Sequence, residues 1–343
     1  MELNYSVEAH KLRFKKTIKT SRNAFKEKLH WIVKVWDKNK PSIVGIGEAA
    51  PIELLSPDYR EDLDLIIKKQ LYQLVEGVNF NDLDLHKLPS VKFALESALL
   101  DLNNGGHQIY FDSGYLTGKP IAINGLVWMG GLESMMEEAI EKANSGYKCI
   151  KFKVGSHDFD AECRFIEQFR KTPLGKTTEI RLDANGAFLA DEALEKLKEL
   201  NRFHIHSIEQ PIKQGQWDNM AKLCMDSKIA IALDEELIGV RVNIDGNKLL
   251  KHIKPQYIIL KPTLLGGFKA SDEWITLANK QKLGWWATSA LESNYGLNAI
   301  AQWVGKYDPL ISQGLGTGML YENNFKSSSE IRDGKLFYLP LKV

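Results

Sequence analysis

Between residues 149 and 262 short apolar runs alternate with longer stretches whose apolar positions recur every three to four residues. The short runs are Cys149-Ile150, Glu179 to Leu182, Ile205 to Ile208, Ile229 to Leu233 and Tyr257 to Leu260. Compact runs rich in β-branched residues are how strands of a buried parallel sheet read. Leu132 to Asn144, Phe159 to Lys171, Ala190 to Phe203 and Trp217 to Asp226 show one apolar face at helical spacing and predict the intervening helices. Charge arrives only where each strand ends: Lys151-Phe152-Lys153, Arg181-Leu182-Asp183-Ala184-Asn185, Glu209-Gln210-Pro211, Asp234-Glu235 and Lys261-Pro262. From Lys153 the spacings to Asp183, Glu209, Asp234 and Lys261 are 30, 26, 25 and 27 residues, the length of one strand plus one helix. Repeated right-handed units of this kind close into a barrel whose reactive groups sit at the C-terminal ends of the strands.

The flanks read differently. Leu3 to Phe14, Leu29 to Trp36 and Ile43 to Ala49 alternate as strands of an antiparallel meander, with Asp37 to Pro41 as turn material. Thr20 to Phe25 is a loop carrying Arg22 and Phe25. Residues 58 to 105 turn helical, ending in Val91 to Leu102, and cover the meander. Ile121 to Trp128 opens the barrel, Trp285 to Ser289 and Ile311 to Gly318 belong to its last units, and Ile331 to Val343, turning at Asp333-Gly334, predicts a strand returning to the N-terminal domain. The expected division is an α+β domain over residues 1–117, completed by 319–343, and an α/β barrel over 118–318.

Strand alternation says which side chains share a face. If Asp183 points into the barrel so does Arg181; if Lys153 does, so does Lys151; Phe152, Leu182 and Leu233 then face the helices. Three carboxylates, Asp183, Glu209 and Asp234, and three lysines, Lys151, Lys153 and Lys261, meet at one rim. Carboxylates brought together repel unless a cation lies between them, and oxygen ligands without Cys or His select Mg²⁺ or Mn²⁺ over zinc. Lysines beside such a metal, in a dry setting, lose pKa toward the range where they act as bases. The plainer alternative is a set of ordinary ion pairs.

Composition narrows the partners. With 45 basic against 44 acidic residues in 343, net charge is +1, and no basic run suggests nucleic acid or anionic lipid. A small molecule is the expected partner. Cys149, Cys163 and Cys224 form no CxxC, so neither a disulfide framework nor a zinc cluster is expected. No basic-then-apolar leader and no apolar run near 18 residues occurs, which predicts a cytoplasmic protein without a membrane span. Oligomeric state is left open by the chain. Gly314-Leu315-Gly316-Thr317-Gly318 lacks the helix and acidic residue of a dinucleotide loop; its N–H groups suit a carboxylate instead. His204 and His206 have the opposite parity to Glu209 and fall on the helix side. Glu235 and Glu236 compete with Asp234 as ligands.

Lys-x-Lys, Asp, Glu, Asp and Lys at successive strand ends resemble the muconate-lactonising branch of the enolase superfamily. The resemblance implies a modified TIM barrel, (β/α)7β, under an α+β capping domain. It also implies removal of a proton α to a carboxylate, with the enediolate held on Mg²⁺, for which Mn²⁺ can substitute. Asp183, Glu209 and Asp234 would bind the metal, Asp234 being favoured because the family motif is Asp-Glu with its first residue binding. Lys153 and Lys261 would flank the substrate carbon, with Lys151 binding the carboxylate. Arg22, on a loop that folds over the mouth in the family, would help bind substrate with Arg181, Asn185, Ser289, Gly314 and Leu315; Asn23 stands where glycine is common. Ser289-Ala290-Leu291-Glu292-Ser293-Asn294 and Gln313 to Gly318 are most similar to the o-succinylbenzoate synthases. That implies Lys153 as base and then acid on one face, and Lys261 as a stabilising cation. The rivals are a dipeptide epimerase or N-acylamino acid racemase using both lysines for proton transfer, and a ligand-binding barrel without catalysis.

Overall fold

The computed structural model describes residues 2–19 and 24–340. Strands β1 (Leu3–Lys19), β2 (Ala24–Asp37) and β3 (Lys40–Ala49) form the antiparallel meander in that order. Trp31, Val33 and Val35, spaced two apart on β2, put one face inward, where α1 (Leu63–Val75) and α2 (Pro89–Asn103) bury it with Ile67, Leu71, Val91 and Leu95. Gly45 and Gly47 of β3 let α2 lie directly on the sheet: a Cβ at Gly47 would stand 1.9 Å from the Ala94 carbonyl oxygen.

The second layer is a parallel sheet that curls shut. Its strands are β5 (Gly125–Val127), β6 (Cys149–Lys153), β7 (Glu179–Asp183), β8 (Ser207–Glu209), β9 (Ala230–Leu233), β10 (Tyr257–Leu260) and β11 (Gly284–Ala287), hydrogen-bonded in sequence order. Closure comes at an eighth position, where Gln313 bridges Ile123 and Gly314 bridges Thr288, both in parallel. Outside lie α3 (Leu132–Asn144), α4 (Phe159–Lys171), α5 (Ala193–Leu200), α6 (Trp217–Asp226), α7 (Asn247–Ile253), α8 (Pro262–Leu265), α9 (Gly267–Lys280) and α10 (Asn294–Val304). The TIM-like barrel with a small antiparallel unit is therefore the fold, as expected. Ile150, Phe152, Leu182, Ile208, Leu233 and Leu260 join the core shared with the helices. Ala232, Ile259 and Trp286 form a separate interior layer, which is the alternation read from the chain.

Three expectations need correction. The stretch 121–128 is not one strand: β4 (Ile121–Ala122) breaks from β5 and pairs with the C-terminal hairpin. That hairpin, β12 (Ser329–Arg332) and β13 (Lys335–Tyr338), turns at Asp333-Gly334 but joins β4, not the meander. The return to the meander is made earlier, by the Phe14 to Tyr321 bridge and the Lys15 N–H on the Leu320 carbonyl. Residues 190–203 hold α5 only over 193–200, followed by a 3₁₀ turn. Among the described residues no helix is long and apolar enough to cross a membrane.

Candidate active site

Parallel pairing in register puts Lys153 beside Asp183 and Asp183 beside Glu209, so three strand ends deliver their charges at one level. Lys151 Nζ lies between two carboxylates, 2.6 Å from Glu209 Oε2 and 3.2 Å from Asp183 Oδ2. Lys153 Nζ donates to Asp183 Oδ2 at 2.8 Å and to Asn185 Oδ1 at 2.6 Å. On the far side Lys261 Nζ meets Asp234 Oδ2 at 2.5 Å. Asn185, in a left-handed conformation at φ 45°, donates its amide to Glu235 Oε1 at 3.0 Å, so the two loops are tied across the rim.

Burial and crowding set the charges. Burial opposes an ammonium at Lys151, but Glu209 and Asp183 outweigh it and its pKa rises above the usual lysine value. Burial is likewise outweighed at Lys261, chiefly by Asp234, and its pKa also rises. Asp183 is buried too, yet Lys153 and Lys151 hold it well below the carboxylate range. Glu209 goes the other way: burial first, then repulsion from Asp183 and Asp234, against Lys151, push it up to about 7. These are the directions for the side chains alone, in which Lys151 and Lys261 each have a carboxylate as direct counter-charge; the lowered lysine pKa expected from the sequence belongs to lysines beside a bound cation. Among the described residues no three acidic, His or Cys side chains stand together as a ready metal site, since lysines lie between the carboxylates. The donors nevertheless fit a hard divalent cation. They are all carboxylate oxygens, and Glu209 Oε1 is buried without a hydrogen-bond partner among the described residues.

The pocket above is lined by Lys151, Lys153, Asp183, Asn185 and Lys261, by Ser289 and Gly314, and by Ile52 and Leu55 from the meander side. Two expected contacts, Arg181 and Leu315, stand elsewhere. Arg181 points into the barrel but below the pocket, over Trp286 at 4.4 Å from the ring centroid, donating to Glu179 Oε1 and the Ser312 carbonyl. Leu315 turns its side chain into the core under the helices. Ser289 borders the pocket, but its hydroxyl is taken up by Glu292, Thr317 and the Leu291 N–H. Arg22 and Asn23 lie outside the described residues.

A sequence profile of the family described as "Enolase C-terminal domain-like" matches residues 134–338, more than half of the chain. The o-succinylbenzoate synthase of Desulfotalea psychrophila is 44% identical, with 98% of each chain covered. The chain belongs to the enolase superfamily, in its muconate-lactonising branch. The crystal structure of MenC from Desulfotalea psychrophila superposes with a TM-score of 0.84 at 40% identity, covering 98% of this chain and 100% of that one. The substrate-liganded L-Ala-D/L-Glu epimerase of Bacillus subtilis superposes as well, at 0.85, but at 20% identity over 98% and 96%, a likeness of fold. Enolase-superfamily enzymes generally depend on a divalent metal, and this chain is an enzyme of that superfamily.

Within that superfamily site, one lining residue carries no functional signal in the sequence. Trp128, one residue past β5, lies with its ring 5.9 Å from Lys153 Nζ; period-two alternation marked it only as apolar. Glu236 is withdrawn from competition, since it accepts from Gln210 Nε2 and the Gly215 N–H. Glu235 lines the pocket beside Asn185. The histidines are distant from the site: His206 meets Ser207 Oγ and Tyr257, and His204 ends a helical turn in a left-handed conformation.

Proposed function

We propose that the chain is an o-succinylbenzoate synthase. It would dehydrate 2-succinyl-6-hydroxy-2,4-cyclohexadiene-1-carboxylate to o-succinylbenzoate, a step of menaquinone biosynthesis, in the cytoplasm. The observation that carries this reading is the 44% identity to the Desulfotalea psychrophila synthase over 98% of both chains. Epimerases are more distant, the Clostridium acetobutylicum L-Ala-D/L-Glu epimerase being 25% identical over 57% of this chain.

In this reading Asp183, Glu209 and Asp234 hold Mg²⁺, or Mn²⁺ in its place. When bound, the cation supplies fixed positive charge where the second negative charge of the enediolate develops. Lys153 removes the ring proton α to the carboxylate. The same ammonium then returns that proton to the departing hydroxide, so the bond lost is C–O, the product is water, and the ring becomes aromatic. Lys153 can reach both groups because it stands on one side of the pocket, steadied by Asn185 Oδ1. Lys261, opposite, serves as a cation without transferring a proton. Lys151 pairs with the substrate carboxylate, and Asn185 and the Gly314 edge contribute to the mouth.

Residues 312–318 contain no carboxylate, and a dipeptide's free ammonium buried there would cost several kcal/mol without a counter-charge. The test is kcat/KM for the cyclohexadiene acid against a panel of unblocked dipeptides in Mg²⁺ buffer, followed by ultraviolet absorbance and by chiral analysis. Efficient dehydration with negligible epimerisation is expected. A dipeptide matching the acid would overturn the synthase reading in favour of an epimerase.

A further inference from the structure

The loop that follows β11 is clamped to its neighbours by buried polar side chains that the steps above do not use. Glu292 is fully buried. Its Oε1 accepts the Thr263 hydroxyl at 2.5 Å, and its Oε2 accepts the Ser289 hydroxyl at 2.5 Å and the Ala290 N–H at 2.7 Å. Thr263, also fully buried, lies two residues beyond Lys261 in α8, where the Leu264 and Leu265 N–H groups bond back to the Lys261 carbonyl. Ser289 accepts in turn from the Thr317 hydroxyl at 2.7 Å, which reaches across from the closing segment of the barrel. Leu291 is held at φ 62°, a conformation costly for leucine, with its carbonyl taking bonds from Lys28 Nζ and the Tyr321 hydroxyl.

A buried carboxylate is expensive to desolvate, and packing alone would be served as well by an apolar side chain of the same volume. What the carboxylate adds is geometry: two oxygens that accept from two different strand ends at once. We propose that Glu292 is a positioning residue for Lys261. Through Thr263 it fixes the backbone from which Lys261 Nζ reaches Asp234, and through Ser289 it locks that strand end to the next two. The proposal rests on the reading of Lys261 as the cation across the pocket from Lys153. A displacement of about 1 Å at such a group can lower rate about 10²-fold, so a link two residues away matters to turnover.

The test uses the full chain in Mg²⁺ buffer with four variants. Thr263→Val keeps shape and removes the donor; Glu292→Gln keeps volume but leaves one oxygen where two are needed; Thr263→Ser retains the hydroxyl; the fourth combines Thr263→Val with Glu292→Gln. Two readouts are taken: steady-state dehydration of the cyclohexadiene acid, and acetylation of Lys261 by acetic anhydride, followed by peptide mass spectrometry and needing no turnover. Thr263→Val and Glu292→Gln are expected to lower kcat about tenfold with KM nearly constant, and to raise Lys261 acetylation. The double variant should be no worse than the more impaired single one, and Thr263→Ser should restore both readouts. Unchanged kcat and unchanged acetylation in Thr263→Val would overturn the proposal, as would a loss that Thr263→Ser fails to rescue or that only follows the folded fraction. If the wild-type chain leaves the acid unconverted while acetylation shifts as described, the synthase reading falls and the positioning role stands.

Discussion

Replacing Lys153 by alanine separates the two lysines that face each other across the pocket. In the proposed reaction Lys153 acts twice, taking a proton from carbon and delivering it to hydroxide. Each general acid or base step is worth about 10² to 10⁴. With one group serving both, the expected loss in kcat is about 10⁴-fold, or about 5 kcal/mol of activation free energy at about 1.36 kcal/mol per tenfold. The fold should tolerate the change. Asp183 Oδ2 keeps Lys151 as a partner at 3.2 Å, its Oδ1 keeps the Asn185 N–H at 3.2 Å, and Asn185 Oδ1 faces a pocket that water can enter. The stability cost is thus that of about one hydrogen bond, about 1 kcal/mol. Lys261→Ala should lose less, about 10²- to 10³-fold, since it removes a charge and no proton transfer. The assay is ultraviolet-monitored dehydration under saturating substrate, with circular dichroism and thermal melts to verify folding. Retention of more than about a tenth of the wild-type rate by folded Lys153→Ala would refute its assignment as the base. Equal losses in both variants would refute the one-lysine scheme and favour proton transfer by Lys261.

Chelation should abolish turnover, and Mg²⁺ at about 100 times its Kd should raise unfolding stability by about 2.7 kcal/mol, seen as a higher Tm; full activity after exhaustive chelation counts against the metal. Glu48→Ala removes the acceptor of His30 Nδ1, Ser293 N–H and Oγ, and Gly296 N–H, so it should destabilise by about 3 to 5 kcal/mol; a denaturant midpoint within error of wild type would contradict this. His30 is pushed down to about 4 by burial and by Lys28, against Glu48, so between pH 6.5 and 4 the unfolded chain takes up a proton that the folded chain refuses. That group's stabilising share is therefore present above about pH 6.5 and is lost as pH falls toward 4, which the difference in unfolding free energy between wild type and His30→Asn should follow; an imidazole NMR midpoint near 6.5 would rule it out. Gly314→Ala should lower stability by about 1 to 3 kcal/mol, because its Cβ would stand 2.6 Å from Thr288 Oγ1, and Thr288→Ala should recover part of the loss.

Alternation and spacing made most of the site legible. Lys151, Lys153, Asp183, Glu209, Asp234 and Lys261 each end a run whose apolar neighbours reveal the strand, and a period of two then decides which face each takes. What alternation does not convey is depth. Arg181 shares the face of Asp183, yet two residues at about 3.3 Å each place it well below the pocket, where it stacks on Trp286 instead of meeting substrate. Nor does a strand's own pattern name its partner: the 329–338 hairpin was visible at Asp333-Gly334, but its choice of β4 over the meander depends on where the barrel's first strand breaks. The union of the two layers was equally hidden. Glu48 of β3 caps α10 at Ser293 and Gly296, and Lys28 of β2 holds the Leu291 carbonyl, contacts spanning more than 240 residues that leave no local trace. The same holds for Glu292, which read as one letter of a resemblance and turns out to be the atom pair joining two strand ends. Side chains given chemistry in the proposed reaction sit at positions set by local period, whereas those that hold them in place are set by which distant segments the barrel closes together. Substitutions at the first kind should therefore change kcat with the melt intact, and those at the interlayer contacts should move both.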